Sequence, residues 1–461
     1  MDLPAFRHHG HALVDWVADY LEQLDHQPIL PNVLPGEVRA RLPATAPEGP
    51  ESFETVMRDF ESIVYPGMTH WGHPRFFAYF PANHSPPSIL AEILIAGMGA
   101  QCMSWQTSPA ATELEQVVME WLRELVGLPA GFTGVIQDYA SSSTLVALIS
   151  ARDRAAVPMD RAVVYYSKEA HSSVGKGARL AGFRPELMRA IETDAVYAMQ
   201  PAALEAQIAA DRKAGLVPVA VVATSGTTSS TAVDPVRAIG EITSREGIWL
   251  HVDAAFAGSA AIVPEFRWVF DGIEFADSLV FNPHKWLLVN HDCSAYYVKD
   301  PDALLRSFSA SPEYLKTAHD ASVVNYRDWG IPLGRRFRAL KLWFVLRSYG
   351  AERIREMVRE HVRLGLEFAS WVEADEEFEL LTPAPLALVC FRWVPPRARG
   401  DEAELTRLNQ TLLKRINGSG RVYLTHTTLS GRYAIRLALG HLATSREDVE
   451  EAWGVVRGAR E

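Results

Sequence analysis

Cysteine is scarce and scattered, with three in 461 residues: Cys102, Cys293 and Cys390. Their odd number and wide separation exclude a disulfide framework and offer no metal-ligand spacing, so reduced, buried thiols in a cytosolic protein are expected. Long apolar runs are missing as well. The most apolar stretch, residues 89–100, is interrupted by Glu92 and falls short of the roughly 20 residues that a membrane-spanning helix needs. The opening segment, MDLPAFRHHGHALVDW, has no basic region followed by an apolar run and a small-residue cleavage site, so no export signal is read there and a cytoplasmic location is expected. Positive charge is in deficit: 45 Lys and Arg stand against 56 Asp and Glu, a net charge of -11 at pH 7. Such a balance argues against nucleic acid or an anionic membrane as partner. His8, His9 and His11 have no companion ligands at helical or loop spacing, so no metal is expected. Internal repeats and low-complexity segments are absent too, which excludes solenoid and propeller architectures.

What remains is an ordinary globular composition, 48% hydrophobic and 22% charged, on a chain long enough for one large domain and smaller companions. Residues 5–24 place Leu13, Val14, Val17, Tyr20, Leu21 and Leu24 at helical spacing, followed by the Pro-rich LPATAPEGPESF. We read residues 1–84 as a helical arm whose apolar stripe has little of its own chain to cover it, and which therefore packs on a second subunit. Residues 85–352 alternate helical stretches with β-rich runs at 162–166, 217–223, 248–252 and 278–281, the pattern of an α/β domain with a mostly parallel sheet and a ligand site beyond the strand carboxyl ends. Residues 353–461 turn to alternating strands at 386–393, 422–426 and 433–439 with helices between, a small α+β domain.

Several residues that carry chemistry stand at the ends of those strands. NPHKW puts Lys285 directly after DSLVF; a lysine amine becomes a nucleophile toward a carbonyl, and so a Schiff-base former, when its pKa is lowered. Asp253 ends IWLHVD and is followed by Ala254 and Ala255, where a carboxylate can keep a ring nitrogen protonated and small residues admit a flat ring. ASSSTLVALISARDRA opens a helix on small hydroxyl residues, a setting that attracts phosphate. His171 follows AVVYYS, and SGTT, with Thr228, closes PVAVVAT. Taken singly, each has a plainer explanation: a solvated lysine, a helix-capping aspartate, a surface histidine, a turn. Their joint placement at one sheet edge favours a site.

GVIQDYASSST, EAHSSVG, ATSGTT, HVDAAFAG and NPHKW, in that order, resemble the group II pyridoxal-phosphate decarboxylases, specifically the aromatic-L-amino-acid decarboxylases. The similarity continues through PGMTHWGHPRFFAYFP, SWQTSPAATELE, YRDWGIPLGRRFRALKLWF and LTHTTLSGRYAIRLALGHL, so it covers nearly the whole chain. The resemblance implies an aspartate-aminotransferase-like fold of type I and a domain-swapped homodimer with shared active sites. It also implies pyridoxal 5'-phosphate bound at Lys285, with Asp253 on the ring nitrogen, His171 stacked on the ring and Ala255 at the other face. Ala140, Ser141, Asn282 and His284 match contacts around the phosphate, and Thr228 a residue near the ring. Tyr326, in HDASVVNYRDW, matches the tyrosine of a mobile loop that gives the proton replacing carbon dioxide. Tyr139 departs from the family, which more usually has a small residue there.

The same resemblance places the aromatic substrate against Trp71, Tyr79, Phe80, Pro81 and Ala82, and against Gln101 and Met103 of the partner subunit. Ala82, Gln101, Met103 and Ala387 fall where family members vary, which leaves tyrosine, dihydroxyphenylalanine, phenylalanine, tryptophan and 5-hydroxytryptophan open as substrates for an amine-forming reaction. The nearest rival is an oxidative aldehyde synthase. In such relatives phenylalanine at the loop position or asparagine at the histidine position accompanies the change, and Tyr326 and His171 argue against it. A catalytically silent dimeric scaffold is the rival of another class, and the retained Lys285 and Asp253 argue against that.

Overall fold

The computed structural model describes residues 1–81, 84–310, 312–315, 319–320 and 322–460. Seven strands form the main sheet: β1 (Thr133–Gln137), β2 (Ala162–Ser167), β3 (Met188–Ile191), β4 (Val217–Thr224), β5 (Trp249–Asp253), β6 (Ser278–Phe281) and β7 (Ser294–Val298). Their order is β1-β7-β6-β5-β4-β2-β3. From β6 to β3 every pairing is parallel; β7 alone runs against its two neighbours, β6 and β1. Helices cover both faces, and β4 and β5 are accordingly buried almost throughout, as parallel strands must be. Pro218 lacks an N–H, and the β2–β4 pairing steps past Val219 at that point, from Val163↔Pro218 to Val164↔Ala220, a bulge at the entry of an otherwise regular strand.

A second sheet, antiparallel, is ordered β10-β11-β9-β8 from β8 (Phe378–Leu380), β9 (Leu388–Trp393), β10 (Thr425–Leu429) and β11 (Arg432–Ala438). Helices Glu402–Gly418 and Arg446–Gly458 accompany it. The long helix Arg338–Ala374 links the two parts. It is broken at Gly350, whose φ of 70° and ψ of 162° only glycine adopts without strain, and it packs against helix Pro109–Leu125 of the first part and β9 of the second.

Helix Leu3–Glu22 starts at Asp2, whose side chain accepts from the Ala5 N–H at 2.8 Å, and buries none of its residues. Leu90, Ile93, Leu94 and Met98 of helix Pro86–Met98 are likewise about half exposed. These apolar faces are uncovered in the single chain. Among the described residues no helix is long and apolar enough to cross a membrane, no group of His, Cys, Asp and Glu could hold a metal ion, and all three cysteines are free and buried.

Candidate active site

The carboxyl ends of β4, β5 and β6 and the N-termini of the helices that follow β1 and β2 surround a cavity of about 370 Å³. This is where a mostly parallel sheet exposes unpaired strand ends and helix dipoles to a ligand. Lys285 lies on the single helical turn Pro283–Trp286 after β6, and its amine sits 5.2 Å from the centre of the Phe80 ring. Burial holds that amine below its ordinary pKa range, with Asp253 pulling the other way and the Arg436 charge adding to the depression. Asp253 ends β5; burial raises its carboxyl, while Lys285, the Ala255 N–H and His171 oppose the rise. The Ala255 N–H donates to Asp253 Oδ1 at 3.1 Å. A buried lysine and a buried carboxylate, each unfavourable alone, thus share one chamber.

The floor beneath Lys285 is aromatic and rigid. Phe80 stacks on Phe256 at 3.9 Å, and Phe256 on Trp286 at 4.4 Å with 5° between the planes. Trp286 Nε1 donates to His361 Nδ1 at 2.9 Å, and His361 in turn donates from Nε2 to the His441 carbonyl at 3.0 Å. The polar anchor at the end of the stack satisfies the indole N–H and fixes the ring beside the lysine.

One end of the cavity suits an anion. Ala140 and Ser141 begin helix Ala140–Ala155, whose cap residue Tyr139 makes no side-chain cap bond, so the first turn faces the cavity without competition from its own cap. Asn282 and His284 line the same cavity. Ser294 donates to Asn282 Oδ1 at 2.7 Å, and the Cys293 N–H donates to His284 Nδ1 at 2.9 Å, which leaves Nε2 to carry the imidazole proton. Burial, helped by the nearby charges of His291 and Lys285, lowers His284 to about 3, so the ring is a neutral donor. The Tyr139 ring, in the place of a small residue, leans on His284 and His291 at 5.8 and 5.7 Å and lines the mouth.

His171, Ala255 and Thr228 line the remainder, with Trp71, Tyr79 and Phe80. His171 caps helix Ser172–Leu180; its Nδ1 accepts from the Ser173 N–H at 3.2 Å, and burial keeps the ring below its usual pKa. A nucleophilic amine, a carboxylate suited to a protonated ring nitrogen and a phosphate cradle together match an aldehyde-bearing, phosphate-bearing pyridine. The donor set fits pyridoxal phosphate.

Not every expected residue lies here. Pro81 packs beside Gly440 outside the lining, and Ala82 lies outside the described residues. The Gln101 side chain accepts from the Arg335 N–H at 2.7 Å, and the Met103 carbonyl from the Arg327 N–H at 2.9 Å; neither residue reaches this cavity within one chain. Tyr326 is placed differently from the expectation. It sits on the short 3-10 turn Tyr326–Asp328, 3% exposed, edge-on to Trp329 with the Arg335 guanidinium 4.7 Å from its ring centre. That is a packed core position, not a cavity wall. Thr224, Gly226, Phe256, His291 and Arg436 line the cavity without having been singled out from the sequence. Of these Phe256 stood in view, three residues after Asp253 in HVDAAFAG, whereas Arg436 reads as an ordinary strand residue until the second sheet is docked.

Residues 35–394 match the family model described as the pyridoxal-dependent decarboxylase conserved domain. The chain is 45% identical to phenylacetaldehyde synthase of Arabidopsis thaliana, over 99% of this chain and 96% of that protein. It is 44% identical to aromatic-L-amino-acid decarboxylase of Rattus norvegicus, over 99% and 98%. The crystal structure of Oryza sativa TDC with PLP and tryptamine superposes with a TM-score of 0.97 at 38% identity, covering 100% of this chain and 98% of that one.

Proposed function

This chain belongs to the pyridoxal-dependent decarboxylase family, and from that premise we propose that it removes the α-carboxylate of an aromatic L-amino acid, releasing carbon dioxide and the aryl-alkylamine. It has the type I fold of pyridoxal-phosphate enzymes, and its cofactor is pyridoxal 5'-phosphate. The observation that carries the reading is the burial of Lys285 and Asp253 together in one cavity that His171 also lines.

Bound pyridoxal phosphate supplies an electron sink for the pair released when the carboxylate departs. Lys285 holds the cofactor through its amine, which desolvation keeps nucleophilic. Asp253 keeps the proton on the ring nitrogen, since a buried carboxylate gains most by facing a cation. His171 and Ala255, which both line the cavity, would flank the cofactor's ring. The first turn of helix Ala140–Ala155, with Asn282 and His284, receives the phosphate. Trp71, Tyr79 and Phe80 give the substrate ring an apolar aromatic wall and keep water from the reacting carbon. Gln101 and Met103 complete that wall from a second copy of the chain in a homodimer, whose interface covers the apolar faces of helices Leu3–Glu22 and Pro86–Met98. The working divisions are an arm to residue 84, a cofactor domain to 352 and a small domain beyond, in a cytoplasmic enzyme.

A second reading has one specific observation behind it: the Arabidopsis relative is named an aldehyde synthase. His171 favours simple decarboxylation; Tyr326, buried away from the cavity, speaks to neither. One experiment separates them. Purified protein with pyridoxal phosphate is given an equimolar mixture of aromatic, acidic and basic L-amino acids, and amines, aldehydes and peroxide are quantified. Aromatic amine without stoichiometric peroxide is the expected result; aldehyde with peroxide would make the chain an oxidative synthase, and no product would leave it a silent scaffold.

A further inference from the structure

We propose that Thr224 is a further cofactor contact, at the Asp253 end of the cavity, and that Asp234 is the positioning residue that presents it; the inference rests on the pyridoxal-phosphate reading above. Thr224 is the last residue of β4 and pairs directly with Asp253, the last residue of β5. It lines the cavity, and among the described residues its Oγ1 is buried with no hydrogen-bond partner. The strand leading to it is VPVAVVA, so a hydroxyl replaces the valine shape only where the strand reaches the cavity. A buried hydroxyl is normally paired, and a ligand that pairs with this one recovers what its burial costs.

The main chain of Thr224 is gripped on both sides by one residue. Asp234 Oδ2 accepts from the Thr224 N–H at 2.7 Å, and the Asp234 N–H donates to the Thr224 carbonyl at 2.9 Å. The other carboxylate oxygen, Oδ1, accepts from the Met199 N–H at 2.7 Å. On a strand the side-chain direction follows from the backbone, so this grip sets where the hydroxyl points. Asp234 is 1% exposed. Burial, reinforced by the charges of Asp194 and Glu169, raises its carboxyl to about 7. An asparagine would present a single oxygen and could not accept both N–H groups in this way. An unfavourable buried carboxylate is thus kept where it orders the cavity edge.

The test uses the full-length apoenzyme titrated with pyridoxal phosphate, the dissociation constant being read from the cofactor's absorption and the melting temperature recorded alongside. Thr224→Val, which removes the hydroxyl and keeps the shape, is expected to weaken binding about tenfold without lowering the melting temperature, and Thr224→Ser to restore most of it. Asp234→Asn is expected to weaken binding comparably, and the double variant Asp234→Asn with Thr224→Val to be no weaker than the worse single one, because both act through the same contact. Wild-type affinity in Thr224→Val, or losses that multiply in the double variant, would overturn the proposal while leaving the functional reading intact. Should Asp234→Asn fail to fold, the Thr224→Val and Thr224→Ser pair still decides the contact. Failure of the wild-type chain to bind pyridoxal phosphate would instead overturn the functional reading, and this inference with it.

Discussion

Arg436 donates from Nη2 to the Thr228 carbonyl at 2.6 Å, so a strand of the second sheet is tied to the loop that closes β4 at the cavity. The same guanidinium donates to Thr425 Oγ1 and to the Tyr79 carbonyl at 3.1 and 3.4 Å and lies 5.5 Å from the centre of the Phe80 ring. A fork that joins two sheets and the aromatic wall is not replaced by a lysine, which offers a point charge on a flexible stem. Arg436→Lys is therefore expected to lower kcat/KM by at least about tenfold, a loss of one or two charged hydrogen bonds, and to lower the melting temperature. Unchanged kinetics would mean that the second sheet only scaffolds the site.

Lys285 and Asp253 should fail in different ways. Lys285→Ala removes the covalent hold, so the absorption band of lysine-bound cofactor should vanish along with turnover. Asp253→Asn keeps the shape and removes the charge. It should still take up cofactor, with turnover reduced by about 10²-fold or more, the range seen when a preorganised electrostatic partner is removed. Cofactor spectra and single-turnover rates on the two variants distinguish the outcomes, and a fully active Asp253→Asn would contradict the assigned role.

The proton that replaces carbon dioxide was expected from Tyr326. Its ring is packed against Trp329 and beneath Arg335, which pairs with Glu115 at 2.7 Å, and burial raises its phenol well above the usual range. Both features oppose easy proton exchange. Tyr326→Phe should leave turnover within about threefold, since a hydroxyl not engaged in the reaction contributes nothing to its barrier. The other tyrosine of this stretch, Tyr314, belongs to the one-turn 3-10 helix Glu313–Leu315. Comparing Tyr314→Phe with Tyr326→Phe in amine yield and peroxide release identifies which of the two the reaction needs.

These cases show what was legible in the sequence. Lys285, Asp253 and His171 each follow a β-rich run by a residue or a few, and strand ends in a parallel sheet converge, so local pattern sufficed to place them together. Arg436 follows its strand's apolar alternation and lies some 150 positions after Lys285; only the docking of two sheets brings it in. Thr224 was hidden behind SGTT, where four consecutive small residues looked equivalent and the sequence could not say which hydroxyl is left unpaired. Tyr326 was placed in a mobile loop by the family resemblance of HDASVVNYRDW, and what that motif does not show is that Trp329, three residues on, and Arg335 pack against its buried ring. Gln101 is exposed and Met103 partly buried, and neither lines the cavity within one chain, so their expected place at the substrate is not legible from its geometry.

Acid should unfold the protein through its histidines. Burial lowers His251 and His441 to about 3 and His361 to about 4, against 6.5 for the free side chain. A group with a depressed pKa in the folded state stays neutral there while the unfolded chain protonates, so stability is fully present above pH 6.5 and is lost as pH falls toward 4. Asp234 works in the opposite sense: raised to about 7 from 3.8, it opposes folding at high pH and relieves that opposition as pH falls from 7 to 4. Burial raises Asp253, Asp328 and Glu169 as well, but it lowers more histidines than that, His73 to about 4 and His284 to about 3 among them, so the net slope is expected to be destabilisation on acidification. His361→Gln removes one titrating group while its amide can still accept from Trp286 Nε1. Between pH 6 and 4.5 the denaturant unfolding free energy of that variant should fall less steeply than wild type by about 1.4 kcal/mol per pH unit, the value for a single proton. An equal slope in both proteins would show that His361 takes up its proton without unfolding, and that the stack reaching from it to Phe80 opens to water more readily than its packing implies.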